Sequence, residues 1–158
     1  MSELIELVKT DAIAQVFLNR PQAYNAFNYD LVSQLTSRLT TLAGDDSVKG
    51  VVVTGRGKAF CAGGDLKWAL GYPARPGAAF HTLASKFHLA ILEIRRMKKP
   101  VVAAVNGVAA GGGFSMALAC DFRVMDKSAV LRQAYTSNGL CIDGGGTFTL
   151  PRLVGYAR

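Results

Sequence analysis

The chain has 158 residues, of which 50% are hydrophobic and 18% charged. This length and composition fit one globular domain and exclude a disordered protein. No apolar run reaches the length of a membrane span, and we expect no signal peptide at the N-terminus. The formal net charge of +7 could indicate a nucleic-acid surface, but the basic residues are scattered, and attraction of a polyanionic substrate fits it equally well.

The first third of the chain alternates β-rich runs with one helical pattern. Residues 4–8 and Ile13–Leu18 surround a polar turn, which predicts a hairpin. Asn28 is placed to cap a helix that ends near Gly44, because leucines follow it at helical spacing: Leu31, Leu35, Leu39 and Leu42. The apolar run Gly50–Gly55 predicts a buried strand after that helix.

The rest of the chain continues the alternation. Proline and glycine predict a loop over 71–77, and apolar spacing predicts a helix over 79–97. Three more strands and one helix follow: Val101–Val105, a helix from Gly112 or Gly113 to Leu118, Phe122–Met125 and 129–131. Alternating strands and helices predict an α/β layered fold, and we find no linker within residues 1–158, so we expect one domain.

Two glycine-rich turns each follow an apolar run, one at 61–65 (CAGGD) and one at 107–113 (GVAAGGG). Glycine allows backbone N–H groups to approach a ligand that a side chain would block. Two such N–H groups pointing at one atom form an oxyanion hole, which stabilises negative charge on a carbonyl oxygen. The pair predicts chemistry on a carbonyl compound, whereas tight turns and close packing are the structural alternative.

Five segments, in order, resemble the enoyl-CoA hydratase/isomerase (crotonase) superfamily: 18–26, 60–66, 99–113, 118–121 and 150–155. The resemblance implies the crotonase-like spiral of β-β-α units, with two sheets and helices outside them. It also implies an acyl-CoA substrate, no cofactor beyond the coenzyme A of that substrate, and a homotrimer or a dimer of trimers. The spacing of the cysteines and histidines leads us to expect no metal. We expect a cytoplasmic enzyme without nucleic-acid or membrane partners. Family members continue into a C-terminal helical region, which is missing after Arg158, so we expect a truncated core domain.

The same resemblance implies the binding residues. It assigns the two oxyanion N–H groups to Ala62 and Gly112, and Gly112 begins a predicted helix whose positive end would face the oxygen. Seven further positions are expected to contact the acyl-CoA: Gln22, Ala23, Tyr24, Gly64, Asp65, Leu66 and Gly111. Asp65 has an equally good alternative as the N-cap of a short helix that begins near Leu66.

The acid–base positions indicate the type of reaction. Family hydratases use two glutamates, and Ser115 and Tyr135 occupy those positions here. Neither residue can replace a carboxylate that activates water. Asp143 stands where isomerases of the family move a proton and where the dehalogenase branch has its nucleophile. Apolar neighbours, Leu140, Ile142 and Phe148, predict a water-poor surrounding for this carboxylate, although Asp-Gly is also a common turn sequence.

The sequence therefore favours an acyl-CoA-binding enzyme that stabilises a thioester enolate and moves a double bond with Asp143 as the acid/base. Hydrolysis or dehalogenation with Asp143 as nucleophile is the alternative, as is a catalytically silent acyl-CoA binder. An RNA-binding relative is favoured by charge alone. His81 and His88 could share a helix face, but no second ligand type lies near them, and Cys61 is expected to be buried packing.

Overall fold

The computed structural model describes residues 3–157. The predicted domain covers residues 1–158, and its terminal residues Met1, Ser2 and Arg158 lie outside the described residues. Eight strands occur in the described part: β1 (Ile5–Thr10), β2 (Ile13–Leu18), β3 (Gly50–Gly55), β4 (Ala59–Cys61), β5 (Val101–Val105), β6 (Val108–Ala110), β7 (Phe122–Met125) and β8 (Val130–Arg132). The helices there are α1 (Tyr29–Gly44), α2 (Leu66–Leu70), α3 (Pro76–Arg96), α4 (Gly112–Ala119) and α5 (Gly146–Val154).

The larger sheet carries the hydrophobic core and has the strand order β1-β2-β3-β5-β7. β1 and β2 form the predicted antiparallel hairpin, and the other neighbours are parallel. The parallel register places Val16 opposite Val53, and Val53 opposite Ala103, all of them buried. Short apolar runs of this kind are typical of strands covered by helices, because both faces of a parallel sheet are shielded from water.

The smaller sheet positions the candidate site. β4, β6 and β8 pair in that order, and both pairings are parallel. The carboxyl ends of parallel strands meet at one edge, so three segments that are distant in sequence emerge side by side. These are the first glycine turn after β4, the second after β6, and the chain leading to Tyr135 after β8.

The long helices follow from their caps and apolar faces. In α1 the Asn28 side chain accepts a hydrogen bond from the Leu31 N–H at 2.9 Å, as predicted, and the four spaced leucines are buried. Each buried leucine stabilises the fold by about 1.5–3 kcal/mol relative to an exposed one. The prediction that the next long helix starts at 79 is wrong, because α3 starts at Pro76, where proline's restricted φ suits the first turn.

The architecture confirms the mixed α/β fold class. The helix α2 begins at Leu66, as the capping alternative for Asp65 requires. The short strands β4 and β6 and the helix α5, which contains Pro151, were absent from the sequence-based prediction. Within the described residues, no helix combines the length and apolar character that crossing a membrane requires.

Candidate active site

The two glycine turns lie against each other. A Cβ added at Gly63 would lie 2.8 Å from the Ala110 oxygen and 3.2 Å from the Gly112 nitrogen. Gly63 has a φ of +90° and Gly111 a φ of +50°, which other residues rarely adopt. Glycine is therefore required at Gly63 for the two backbones to approach, and at Gly111 for its backbone conformation.

The candidate oxyanion donors differ in whether their N–H groups are already hydrogen-bonded. The Ala62 N–H donates to the Tyr24 carbonyl oxygen, with an N···O distance of 3.0 Å, so it is not free for a substrate. The expectation that Ala62 supplies an oxyanion donor does not fit this structure. Within residues 3–157 we find no acceptor for the N–H of Gly64 or of Gly112. Gly112 is the first residue of α4, where the helix dipole is positive.

The early loop is attached to the first glycine turn by its backbone. Pro21–Ala23 forms one turn of 3-10 helix, and Tyr24 follows in the left-handed conformation with its carbonyl oxygen directed at Ala62. The side chains of Gln22 and Tyr24 are exposed, as is that of Leu66 at the start of α2. The structure thus places the expected coenzyme A residues on neighbouring, accessible segments.

Asn25 organises this loop, and the sequence analysis assigned it no role. Its side chain is fully buried, accepts a hydrogen bond from the Arg20 N–H at 2.9 Å, and donates to the carbonyl oxygens of Arg56 and Ala59. An asparagine satisfies a backbone acceptor and donor at once, which an apolar residue cannot. Its left-handed φ of +56° is the conformation that asparagine tolerates better than most residues.

Asp65 acts as a structural residue. One carboxylate oxygen accepts from the Trp68 N–H at 3.1 Å and caps α2, and the other accepts from the Arg20 guanidinium at 2.5 Å. Burial opposes ionisation, but the Trp68 N–H and the Arg20 guanidinium together outweigh it and lower the pKa of Asp65. Since both oxygens are occupied, the geometry favours the capping interpretation over a side-chain contact with ligand.

Asp65→Asn should lower the free energy of unfolding at neutral pH by about 1–3 kcal/mol, because Arg20 loses a charged partner. A carboxylate whose pKa is lowered by folding stabilises the protein above the unfolded-state pKa, and this stabilisation is lost as the pH falls through the folded-state pKa. The difference between the two proteins should therefore narrow on acidification. Urea unfolding at several pH values measures it, with Asp46→Asn as the exposed control. A difference that stays constant down to acid pH would contradict the ion-pair explanation.

The expected acid–base residue, Asp143, is half-buried and hydrogen-bonded to two buried side chains in series. Ser115 lies on α4, three residues after Gly112, and is fully buried. Its Oγ lies 3.0 Å from the Tyr135 hydroxyl, and the Tyr135 hydroxyl donates to Oδ1 of Asp143 at 2.5 Å. The structure thus links both hydratase glutamate positions to Asp143, a link that the sequence analysis missed because the three residues lie on separate elements.

The surroundings of Asp143 differ from the expectation. Ile142 is half-buried, but Leu140 and Phe148 are exposed and do not enclose the carboxylate. His88 contacts the residue that follows Asp143: its Nε2 accepts a hydrogen bond from the Gly144 N–H at 3.2 Å. His88 is therefore a contact of the Asp143 loop. No group of three or more possible metal ligands occurs in the described part of the chain.

Cys61, the first residue of the first glycine turn, is unreactive. Cys61 is fully buried, and desolvation raises the pKa of its thiol to about 12, although the Gly63 N–H acts in the opposite direction. The thiol is therefore protonated at neutral pH and cannot serve as a nucleophile, as the sequence analysis expected.

Comparison with known proteins identifies relatives of this chain. Residues 8–158 match the sequence profile of the enoyl-CoA hydratase/isomerase family. The chain is similar to 4-chlorobenzoyl coenzyme A dehalogenase-2 of an Arthrobacter species, with 38% identity over 155 residues, 98% of this chain and 56% of that protein. It is also similar to 1,2-epoxyphenylacetyl-CoA isomerase of Escherichia coli strain K12, with 36% identity over 159 residues, 100% of this chain and 61% of that protein.

A solved structure supports the fold assignment over almost the whole chain. An enoyl-CoA hydratase from Bacillus anthracis superposes with a TM-score of 0.91 and 34% identity, covering 99% of this chain and 60% of that chain. This chain spans little more than half the length of the first of these relatives, 56% of it. The family profile, the relatives and the superposition agree, and the chain belongs to the enoyl-CoA hydratase/isomerase family.

Proposed function

We propose that this protein binds an acyl-CoA thioester and moves a carbon–carbon double bond by a proton transfer through Asp143. One observation carries the proposal: Asp143 is linked through Tyr135 to Ser115, on the same helix whose first N–H, that of Gly112, has no acceptor among the described residues. A base and an electrophilic backbone donor are thereby held at one edge of the small sheet. We propose Gly64 as the second donor in place of Ala62, because its N–H has no acceptor within residues 3–157.

The proposed reaction balances with one carboxylate. Asp143 takes a proton from C2 of a 3-enoyl-CoA, and the electron pair moves onto the thioester oxygen to form a dienolate. The two N–H groups donate to that oxygen and stabilise the charge that develops on it. Asp143 then returns the proton to C4, which leaves the conjugated 2-enoyl-CoA and restores the carboxylate. No water is added and no cofactor is consumed.

Hydration fits these side chains poorly. Addition of water needs groups that accept and deliver protons on an attacking water molecule. Burial raises the pKa of the Tyr135 phenol well above its usual range, and the hydrogen bond to Asp143 raises it further. Ser115 and Tyr135 are also in direct contact with each other. We therefore propose isomerisation rather than hydration as the main activity.

Dehalogenation is the second candidate, favoured by the similarity to a 4-chlorobenzoyl coenzyme A dehalogenase. Asp143 would attack the ring carbon, chloride would leave, and water would hydrolyse the resulting ester. The hydrolysis needs a base for the water, and the nearby His88 has its Nε2 occupied by the Gly144 N–H. That contact supports isomerisation over the hydrolytic alternative.

Three substrates distinguish these functions in one assay series. The purified protein is mixed with trans-3-hexenoyl-CoA, crotonyl-CoA or 4-chlorobenzoyl-CoA, and the ultraviolet absorbance of the thioester is followed. Conjugation of the first substrate is expected to be the fastest change. Faster loss of crotonyl-CoA would indicate a hydratase, and chloride release would indicate a dehalogenase. Binding by calorimetry without any turnover would indicate a silent acyl-CoA binder.

We also propose that the protein assembles as a homotrimer or a dimer of trimers, as the family resemblance implies. Large apolar side chains are exposed on β7 and α5, among them Phe122, Val124 and Phe148, and such surfaces favour association. Light scattering at several protein concentrations should give a mass that is a multiple of three protomers. A monomeric mass at every concentration would contradict this assembly.

A further inference from the structure

Three side chains from separate elements form one hydrogen-bonded chain whose purpose the proposed reaction does not explain. Ser115 lies on α4, Tyr135 follows β8, and Asp143 precedes α5. The distances are 3.0 Å from Ser115 Oγ to the Tyr135 hydroxyl and 2.5 Å from that hydroxyl to Asp143 Oδ1. The middle member, Tyr135, touches both of the others.

The donors and acceptors that each side chain offers fix the direction of the two hydrogen bonds. An ionised carboxylate only accepts hydrogen bonds, so the Tyr135 hydroxyl donates its single proton to Asp143. Tyr135 then has only lone pairs to offer, and Ser115 must donate to it. Burial and the nearby carboxylate raise the pKa of Tyr135, so the phenol keeps its proton and remains a donor.

The two oxygens of Asp143 differ in their hydrogen bonding. Oδ1 is held by Tyr135, whereas no hydrogen-bond donor within residues 3–157 contacts Oδ2. Deprotonating a carbon requires an oxygen lone pair aimed at the proton within hydrogen-bond reach. Oδ2 is therefore the oxygen available to take the proton, and the contact at Oδ1 restricts where it points.

The backbone around Asp143 is restrained independently. The Gly144 N–H donates to His88 Nε2 at 3.2 Å. A Cβ added at Gly144 would lie 2.8 Å from Ser115 Cβ, so the loop packs directly on α4. With the backbone held, rotation of the Asp143 side chain is the main remaining freedom, and the Tyr135 contact limits that rotation.

We propose that Tyr135 is a positioning residue that holds Oδ1 of Asp143 and thereby presents Oδ2 to the substrate, with Ser115 aligning the Tyr135 hydroxyl. The inference rests on the proposed function, because it requires that Asp143 moves the proton. Tyrosine at this position acts through the aspartate and does not itself exchange a proton with the substrate.

Tyr135→Phe tests the inference, since it keeps the ring and removes the hydroxyl. With trans-3-hexenoyl-CoA we expect kcat to fall by roughly 10- to 100-fold while KM changes little, because a misaligned base slows the chemical step without weakening binding. Ser115→Ala should have the same effect to a smaller degree. Tyr156→Phe, the same change at a side chain that is 88% exposed, should leave kcat unchanged.

A double-mutant cycle separates positioning from a merely structural role. If Tyr135 acts through Asp143, then Tyr135→Phe should cause no further loss in an Asp143→Asn background. An equal loss in both backgrounds would show that Tyr135 acts independently and would overturn the inference. Removing only the tyrosine hydroxyl leaves the buried Ser115 hydroxyl unpaired, which can destabilise the protein. The double variant Ser115→Ala/Tyr135→Phe avoids this, and we expect the same fall in kcat from it.

The two proposals fail in different ways. Full activity of Tyr135→Phe together with an inactive Asp143→Asn would overturn the positioning role and leave the proposed function intact. Full activity of Asp143→Asn would overturn the proposed function itself. Retained melting temperature and retained acyl-CoA binding by calorimetry confirm that each variant is folded when its turnover is compared.

Discussion

Replacing Asp143 with asparagine should lower isomerase turnover by about 10²-fold or more, because a general base contributes at least that much. Asparagine has nearly the same size and can still accept the Tyr135 hydrogen bond through its amide oxygen. Binding of the acyl-CoA should therefore survive. The rate of conjugation of trans-3-hexenoyl-CoA measures turnover, and titration calorimetry measures binding.

The matched control for this change is Asp46→Asn, the same substitution at an exposed aspartate in the turn after α1. We expect its turnover to equal that of the unmodified protein. Isomerisation by Asp143→Asn at the unmodified rate would remove Asp143 from the reaction. Loss of binding together with turnover would mean that Asp143 acts on the substrate's affinity and not on the chemical step.

Gly112→Pro should reduce turnover by about 10²- to 10³-fold relative to Gly112→Ala, which is the loss expected when one oxyanion donor is removed. Gly112 is the first residue of α4, a position that accepts proline, and proline has no N–H. Alanine adds a Cβ in the same place and keeps the N–H. The comparison therefore tests the hydrogen-bond donor together with the space that it faces, because the proline Cδ takes the place of the N–H hydrogen.

The alanine variant is needed because the site is tightly packed. A Cβ at Gly112 would lie 3.1 Å from the Phe27 ring, so both variants require that ring to move. Their melting temperatures should fall together if this contact alone matters. Equal turnover of the proline and alanine variants would show that the Gly112 N–H does not bind the reacting oxygen, and the proposed oxyanion hole would then be wrong.

Several parts of the fold could be predicted from local sequence because local interactions determine them. The Asn28 cap contacts an N–H three residues away, and the leucines of α1 repeat at helical spacing. The hairpin of β1 and β2 has a short polar turn between two β-rich runs. The start of α3 was misplaced, because the predicted loop included Pro76, which is the first residue of the helix.

The site could be predicted only in part. The glycine turns and Asp143 were recognisable because their residue types are unusual and their spacing resembles a family. The sequence could not show whether the Ala62 N–H or the Gly64 N–H is already hydrogen-bonded. The acceptor of the Ala62 N–H is the carbonyl oxygen of Tyr24, on a loop far away in sequence. Asp65 likewise kept two interpretations until its partner Arg20 was located.

The sequence by itself determined the class of this protein: an α/β core, two glycine turns that suit a carbonyl oxygen, and one candidate base, Asp143, in a chain that has Ser115 and Tyr135 where family hydratases have glutamates. Only the tertiary structure decided how these parts meet. The parallel pairing of β4, β6 and β8 brings both turns and Tyr135 to one edge, and Tyr135 then links Ser115 to Asp143. Such contacts join residues on different elements, and no local pattern encodes them, because strand order and side-chain partners depend on the packing of the whole chain.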